Sequence, residues 1–186
     1  MKQHTLLKDI EHILYSEEAI AEAVDKIAKQ ITEDYRGKSP VFICILKGAS
    51  VFFTDLIRKV DLPLSIDFMA ISSYGSSTKT SGVVRILKDL DESVEGKDVI
   101  IVEDIIDTGL TLSYIKNTLI QRKVNSISIA ALLDKPERRK TELEIDYKGL
   151  VIPNEFVVGY GLDYAEKYRN LPYIAILEPK IYEKTM

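Results

Sequence analysis

The sequence predicts an α/β fold, a doubly wound and mostly parallel sheet flanked by helices, in a single domain covering residues 1–186. Three observations carry this. Apolar runs of strand length alternate with longer segments whose apolar residues recur every three or four positions, the pattern of βαβ units. One run, "PVFICIL" (40–46), is apolar throughout, as expected of a central strand covered on both faces. Finally, "VEDIIDTGLTL" (102–112) gathers acids between an apolar run and a helix start, the place where such sheets bind ligands.

The elements follow in order. From Ser16 to Arg36 the residues Ile20, Val24, Ile27, Ile31 and Tyr35 form one face of an amphipathic helix. Ser16 is placed to cap it, two Glu follow in the first turn, and Gly37 ends the segment. After the 40–46 strand, "ASVFFTDLIRKV" (49–60) reads as a helix. "LSIDFMAIS" (64–72), "GVVRIL" (82–87), "DVIIVED" (98–104) and "SISIAALL" (126–133) read as strands. Between the last two, Leu112, Ile115, Leu119 and Ile120 mark a helix face. "FVVGY" and "YIAILE" complete the set of strands.

Composition narrows the function classes. With 46% hydrophobic and 29% charged residues the chain is ordinary globular protein, and 186 residues can bury one sizeable core. A formal charge of -4 offers no general attraction to nucleic acid or anionic membrane, so a polyanion must be held by local amides, cations or metal. The lone cysteine, Cys44, lies inside an apolar strand and reads as a small core hydrophobe. No apolar stretch has the length of a signal peptide or of a membrane span, so a reduced, cytoplasmic protein is expected.

Glu103, Asp104 and Asp107 should repel one another at the end of a strand. Singly they have plain explanations: Asp107 as a helix cap, the other two as solvated acids. Together with Thr108, Gly109 and Thr111 they suggest more. Small hydrogen-bonding groups and a permissive backbone at a helix N-terminus present free N–H groups to a phosphate. Acids suited to a cation or sugar hydroxyls thus stand beside a phosphate cradle. Other phosphate motifs fail: no G-x-x-x-x-G-K-[ST] is present, Asp104 and Asp107 are three apart where a dehalogenase-type pair is two apart, and "GYGLDY" (159–164) lacks the last Gly of G-x-G-x-x-G.

"VIIVEDIIDTGLTL" closely resembles the phosphoribosyl-diphosphate motif of type I phosphoribosyltransferases, an apolar strand and two acids followed by D-[ST]-G-x-T. "VEDIIDTG" is similar in particular to the hypoxanthine/guanine members. "LKGA" (46–49), "SSYGSSTKTSG" (72–82), "LLDKPERR" (132–139) and "EFVVGYGLDYAEKYRNLPYI" (155–174) extend the resemblance in family order over nearly the whole chain. It implies a phosphoribosyltransferase sheet with a small hood formed by terminal segments. The implied reaction moves ribose 5-phosphate from phosphoribosyl diphosphate to N9 of hypoxanthine or guanine, with Mg²⁺, in a homodimer or homotetramer.

The resemblance also implies roles. Glu103 and Asp104 serve the ribose hydroxyls, directly or through a magnesium-bound water, and Asp163 is the candidate ligand for a second magnesium. The backbone from Asp107 through Thr108, Gly109, Leu110 and Thr111 cradles the 5′-phosphate; Leu110 replaces a Lys found in some members, which removes one charge contact. Asp107 is the general base for the purine N7 proton. Lys47 and Gly48, with a cis peptide expected at Leu46–Lys47, grip the diphosphate together with Arg169, although a solvated lysine and a surface salt bridge are the plain alternatives. Lys135 donates to the purine 6-oxo group and so rejects adenine. Phe156 stacks on the base, Ile105 packs beneath it, and the Val157 and Asp163 carbonyls meet its edge. The 72–82 segment is expected to be a loose loop when empty and to close over the site, with Ser73 and Tyr74 touching the diphosphate. The competing class is a regulator of the same fold that binds phosphoribosyl diphosphate and a nucleic acid; negative net charge and the presence of Asp107 and Lys135 argue against it.

Overall fold

In the computed structural model, which describes residues 8–73 and 84–182, strand β1 (Ile10–Tyr15) leads into helix α1 (Glu17–Asp34). The Ser16 side chain accepts the Ala19 N–H, and Ile20, Val24, Ile27 and Ile31 are buried, so the cap and the apolar face both fall where expected. Strand β2 (Val41–Leu46), helix α2 (Ser50–Ile57), strand β3 (Ser65–Ser73) and strand β4 (Val84–Lys88) follow. Then come strand β5 (Asp98–Ile106), helix α3 (Leu110–Gln121), and strands β6 (Ser126–Asp134) and β7 (Tyr147–Val151). The chain ends with strands β8 (Val157–Val158) and β9 (Ile174–Leu177) and a short helix α4 (Pro179–Tyr182). Among the described residues no helix is long and apolar enough to cross a membrane.

The main sheet has the order β4-β3-β2-β5-β6-β7, parallel except for the antiparallel edge strand β4. Its central strands are covered on both faces, which explains their unbroken apolar runs. Phe42, Cys44, Ile100, Val102, Ala130 and Leu132 face α1 and α2, whereas Ile43, Ile45, Val99, Ile101, Ile129 and Ala131 pack on the α3 side. Side chains of full size that are buried this completely contribute about 1.5–3 kcal/mol each.

The winding sets the position of the site. From β2 the chain passes through α2 to β3 on one side; from β5, on the other side of β2, it passes through α3 to β6. Neighbouring β2 and β5 therefore send their connections in opposite directions, and a crevice opens beyond their carboxyl ends. Leu46 and Lys47 end one wall, and Glu103 to Ile106 end the other.

Three strands from the two ends of the described chain form a separate antiparallel sheet, β1-β9-β8. Strands β1 and β7 are not expected from the sequence, and β8 has two residues where "FVVGY" predicts a longer strand. The reason for the last is local: Gly159, Tyr160 and Gly161 all have positive φ (99°, 49° and 101°) and turn the chain out of the sheet. Helix α2 likewise ends at Ile57 rather than 60, with Lys59 N–H and Val60 N–H both donating to the Leu56 carbonyl.

Candidate active site

The crevice is a cleft of about 340 Å³, and Glu103, Asp104, Ile105, Asp107, Thr108, Gly109 and Thr111 form one side of it. The turn between β5 and α3 is built on Gly109, whose φ of 79° is left-handed, and it is Gly109, without any side-chain hydrogen bond, that occupies the N-cap position. Asp107 is therefore not spent as a cap. A Cβ at Gly109 would stand 2.6 Å from Thr141 Oγ1, so glycine is required by space as well as by φ.

Glu103 and Asp104 lie at the cleft floor, and burial pushes both carboxyls toward the protonated form, Glu103 well above its ordinary range and Asp104 to about 6. Their mutual repulsion adds to the shift of Glu103, and the Asp163 charge adds to that of Asp104. Asp104 Oδ1 accepts the Ile105 N–H at 2.7 Å, whereas Glu103 Oε2 is shielded from solvent with no hydrogen-bond partner. Unsatisfied buried acid oxygens are costly, and a cation or a sugar diol would relieve them. Among the described residues no three His, Cys, Asp or Glu side chains converge closely enough to hold a metal by themselves. That donor set suits Mg²⁺, which binds through one or two carboxylates plus substrate oxygens.

Across the cleft lie Leu46, Lys47 and Gly48. The Leu46–Lys47 peptide is cis, as expected. Gly48 passes so near the acids that a Cβ there would stand 1.7 Å from Asp104 Oδ2. Behind it, a Cβ at Gly161 would lie 2.1 Å from the Gly48 carbonyl oxygen, so the 159–169 segment leans directly on this loop. Lys47 Nζ pairs with Glu166 at 3.1 Å. Arg169 pairs with Asp163 at 2.8 Å and donates from Nη1 to the Gly161 carbonyl at 2.7 Å, while its Nε is buried without a partner. Two cations and two acids are thus joined across the opening from Glu103 and Asp104, in a network that an anionic ligand can enter by exchanging partners.

The remaining candidates sit beside this cleft. Lys135 is almost fully buried, its Nζ donates to the Glu155 carbonyl at 2.8 Å, and burial lowers its pKa. The Phe156 ring is 37% exposed, stacks on Tyr182 with centroids 5.2 Å apart, and meets Tyr164 edge-on. Val157 is buried in β8, and Leu110 starts α3 with its side chain exposed. Ser73 ends β3 opposite Val84, and Tyr74, with the rest of the expected closing loop to residue 82, lies outside the described residues.

One side chain at the site was not singled out in the sequence. Arg138 Nε lies 2.9 Å from Asp107 Oδ1. It reaches there because the 135–141 segment is fastened to the phosphate turn: Lys135 N–H donates to the Ile106 carbonyl at 3.0 Å and Lys140 N–H to the Thr108 carbonyl at 3.0 Å. Beneath it, buried Asp134 receives Arg139, and Lys148 at 3.2 Å. "KPERR" held the cue of two arginines beside Lys135, but which of them would face Asp107 depends on the 3₁₀ turn Pro136–Arg138.

Comparison with known proteins places the chain and its fold in a family. Residues 12–165 match the phosphoribosyl transferase domain. The chain is 54% identical to the hypoxanthine-guanine phosphoribosyltransferase of Bacillus subtilis, covering 94% of this chain and 97% of the relative. It belongs to that family. A crystal structure of a hypoxanthine phosphoribosyltransferase from Staphylococcus aureus superposes with a TM-score of 0.94 at 50% identity, covering 98% of this chain and 99% of the other. The chain is also 53% identical to the bifunctional protein TilS/HprT of Listeria monocytogenes, of whose length it spans 27%. The doubly wound sheet expected from the sequence is therefore the phosphoribosyltransferase fold.

Proposed function

We propose that the chain transfers ribose 5-phosphate from phosphoribosyl diphosphate to N9 of hypoxanthine or guanine, giving the nucleoside 5′-monophosphate and diphosphate. The observation that carries this is the pairing of two half-buried, proton-hungry carboxyls, Glu103 and Asp104, with a helix N-terminus without a side-chain cap at the switch point of the sheet.

The roles follow from what each group can do. The amides from Thr108 to Thr111, of which Leu110 N–H exchanges its bond to Thr108 Oγ1 for the ligand, and the α3 dipole hold the 5′-phosphate. Glu103 and Asp104 take the ribose hydroxyls, and Lys47 and Arg169 exchange Glu166 and Asp163 for the diphosphate oxygens. Glu103 and Asp104, completed by substrate oxygens, would also hold one Mg²⁺ and Asp163 a second, which when bound neutralise negative charge on the diphosphate. As N9 bonds to C1′ and the C1′–oxygen bond to diphosphate breaks, Asp107 accepts the N7 proton of the purine. Lys135 turns its ammonium from the Glu155 carbonyl to the 6-oxo group; having no lone pair, it offers adenine nothing to donate to. Phe156, on the β1-β9-β8 sheet side, supplies a stacking surface, so that this small sheet is the purine-side hood. A homodimer or homotetramer in the cytoplasm belongs to the same proposal.

Titration calorimetry with phosphoribosyl diphosphate tests the binding half of the proposal. Binding that strengthens by about tenfold or more on adding Mg²⁺ is expected for an anion of this charge. No heat in either condition would rule the proposal out.

A further inference from the structure

We propose that Arg138 is a positioning residue for the proton-accepting step: it fixes one oxygen of Asp107 and leaves the other open to the purine. The inference rests on the reaction proposed above and adds to it a residue outside the carboxylate, phosphate and purine contacts.

The geometry of the two carboxylate oxygens carries the argument. Asp107 Oδ1 is shielded from solvent and receives no hydrogen bond of regular geometry, and the Arg138 Nε stands 2.9 Å away as its charged neighbour. The Asp107 side chain is nonetheless 40% exposed, so its open surface belongs to the other side, that of Oδ2. Asp107 lines the cleft. Arg138 therefore offsets the desolvation of the inner oxygen and orients the outer one.

The backbone makes this orientation specific. Arg138 sits in the 3₁₀ turn Pro136–Arg138, whose start is fixed by the Lys135 N–H to Ile106 carbonyl bond. Arg138 N–H donates to the Lys135 carbonyl at 3.2 Å, and Lys140 N–H bonds to the Thr108 carbonyl at 3.0 Å. The turn that carries the candidate purine donor Lys135 is thus fastened on both sides of Asp107, directly before and directly after it in sequence. Through Arg138, the same turn sets the proton acceptor relative to the 6-oxo donor, two groups that must address one purine ring at once. Arg139, next in the chain, is committed to Asp134 and does not share the task.

A half-exposed ion pair with no such role would contribute little to stability and nothing to chemistry. Misplacing a reacting group by an ångström, in contrast, costs up to about 100-fold in rate. The test measures the single-turnover rate of nucleotide formation from hypoxanthine, and the affinity for phosphoribosyl diphosphate, in four proteins: wild type, Arg138→Met, Asp107→Asn and the double variant, with Arg138→Lys as a rescue. Wild-type turnover establishes the reaction itself, so its absence would count against that reaction and not against Arg138 alone. Given turnover, Arg138→Met is expected to slow the step about tenfold with affinity changed by less than about twofold, and Arg138→Lys to recover part of the loss. In the Asp107→Asn background the same Met substitution is expected to have almost no further effect, because the group it positions is gone. Equal losses in both backgrounds, an unchanged rate, or weakened phosphoribosyl diphosphate binding with the rate intact would each overturn the assignment.

Discussion

Replacing Asp104 by Asn is expected to make the empty protein more stable while it damages the site. The Asp104 carboxyl is raised from 3.8 to about 6, chiefly by burial. Such a group binds its proton more readily folded than unfolded, so folded-state stability falls as pH rises from about 4 toward about 6 and stays lost above. The gap corresponds to at most about 3 kcal/mol at pH 7, at 1.36 kcal/mol per pH unit. Because the carboxyl faces an open, hydrated cleft, on the order of 1–2 kcal/mol is the expected cost. Asparagine keeps the shape and can still accept the Ile105 N–H at Oδ1, so little else should change. For a chain of this size the gain amounts to a Tm rise of roughly 2–8 °C at neutral pH, and it should fall to roughly half near pH 5, where the wild-type carboxyl takes up its proton. The assay is thermal unfolding of both proteins at the two pH values without ligand or divalent cation, followed by calorimetry with phosphoribosyl diphosphate and Mg²⁺, where the variant should bind more weakly. A variant no more stable than wild type at neutral pH, or a gain that grows on acidification, would refute the assignment of Asp104 as a strained, ligand-awaiting carboxyl.

Three further outcomes are expected. Asp107→Asn should slow the chemical step by about 100-fold or more while phosphoribosyl diphosphate affinity stays close to wild type; equal losses in both would remove Asp107 as the base. Lys135→Ala should raise the KM for hypoxanthine by about 10- to 100-fold, the scale of one charged hydrogen bond, and spare phosphoribosyl diphosphate; loss on the diphosphate side instead would place that lysine elsewhere. Gly48→Ala puts a methyl group 1.7 Å from Asp104 Oδ2, so phosphoribosyl diphosphate binding should weaken and the melting temperature should fall; wild-type binding in a calorimeter would show that the loop yields freely.

What could be read from sequence, and what could not, divides along a physical line. Residues 103–111 were legible because a strand, a turn and a helix start bring consecutive residues to one place, so their chemistry is already adjacent in the chain. The central strands were legible because burial on both faces leaves an unbroken apolar run, as in Val41–Leu46. Strand β1 hid because none of it is fully buried and its "IEHILY" mixes charge with apolar residues. Strand β7 hid because it is a short sheet edge holding Lys148 and Gly149. Arg138 could not be assigned because its position comes from hydrogen bonds across some 30 residues of sequence, Lys140 to Thr108 among them. Likewise, the packing of Gly161 on Gly48 joins two loops that only the fold brings together.

The central claim is that this cleft joins a ribose 5-phosphate to a 6-oxopurine. The most direct measurement is diphosphate release from phosphoribosyl diphosphate and Mg²⁺ with hypoxanthine, guanine, xanthine, adenine, uracil and orotate offered one at a time. Release confined to 6-oxopurines, hypoxanthine or guanine foremost, is the predicted result. Turnover with adenine or a pyrimidine, or firm phosphoribosyl diphosphate binding with no turnover on any base, would contradict it, and the second outcome would point to a regulator built on the same fold.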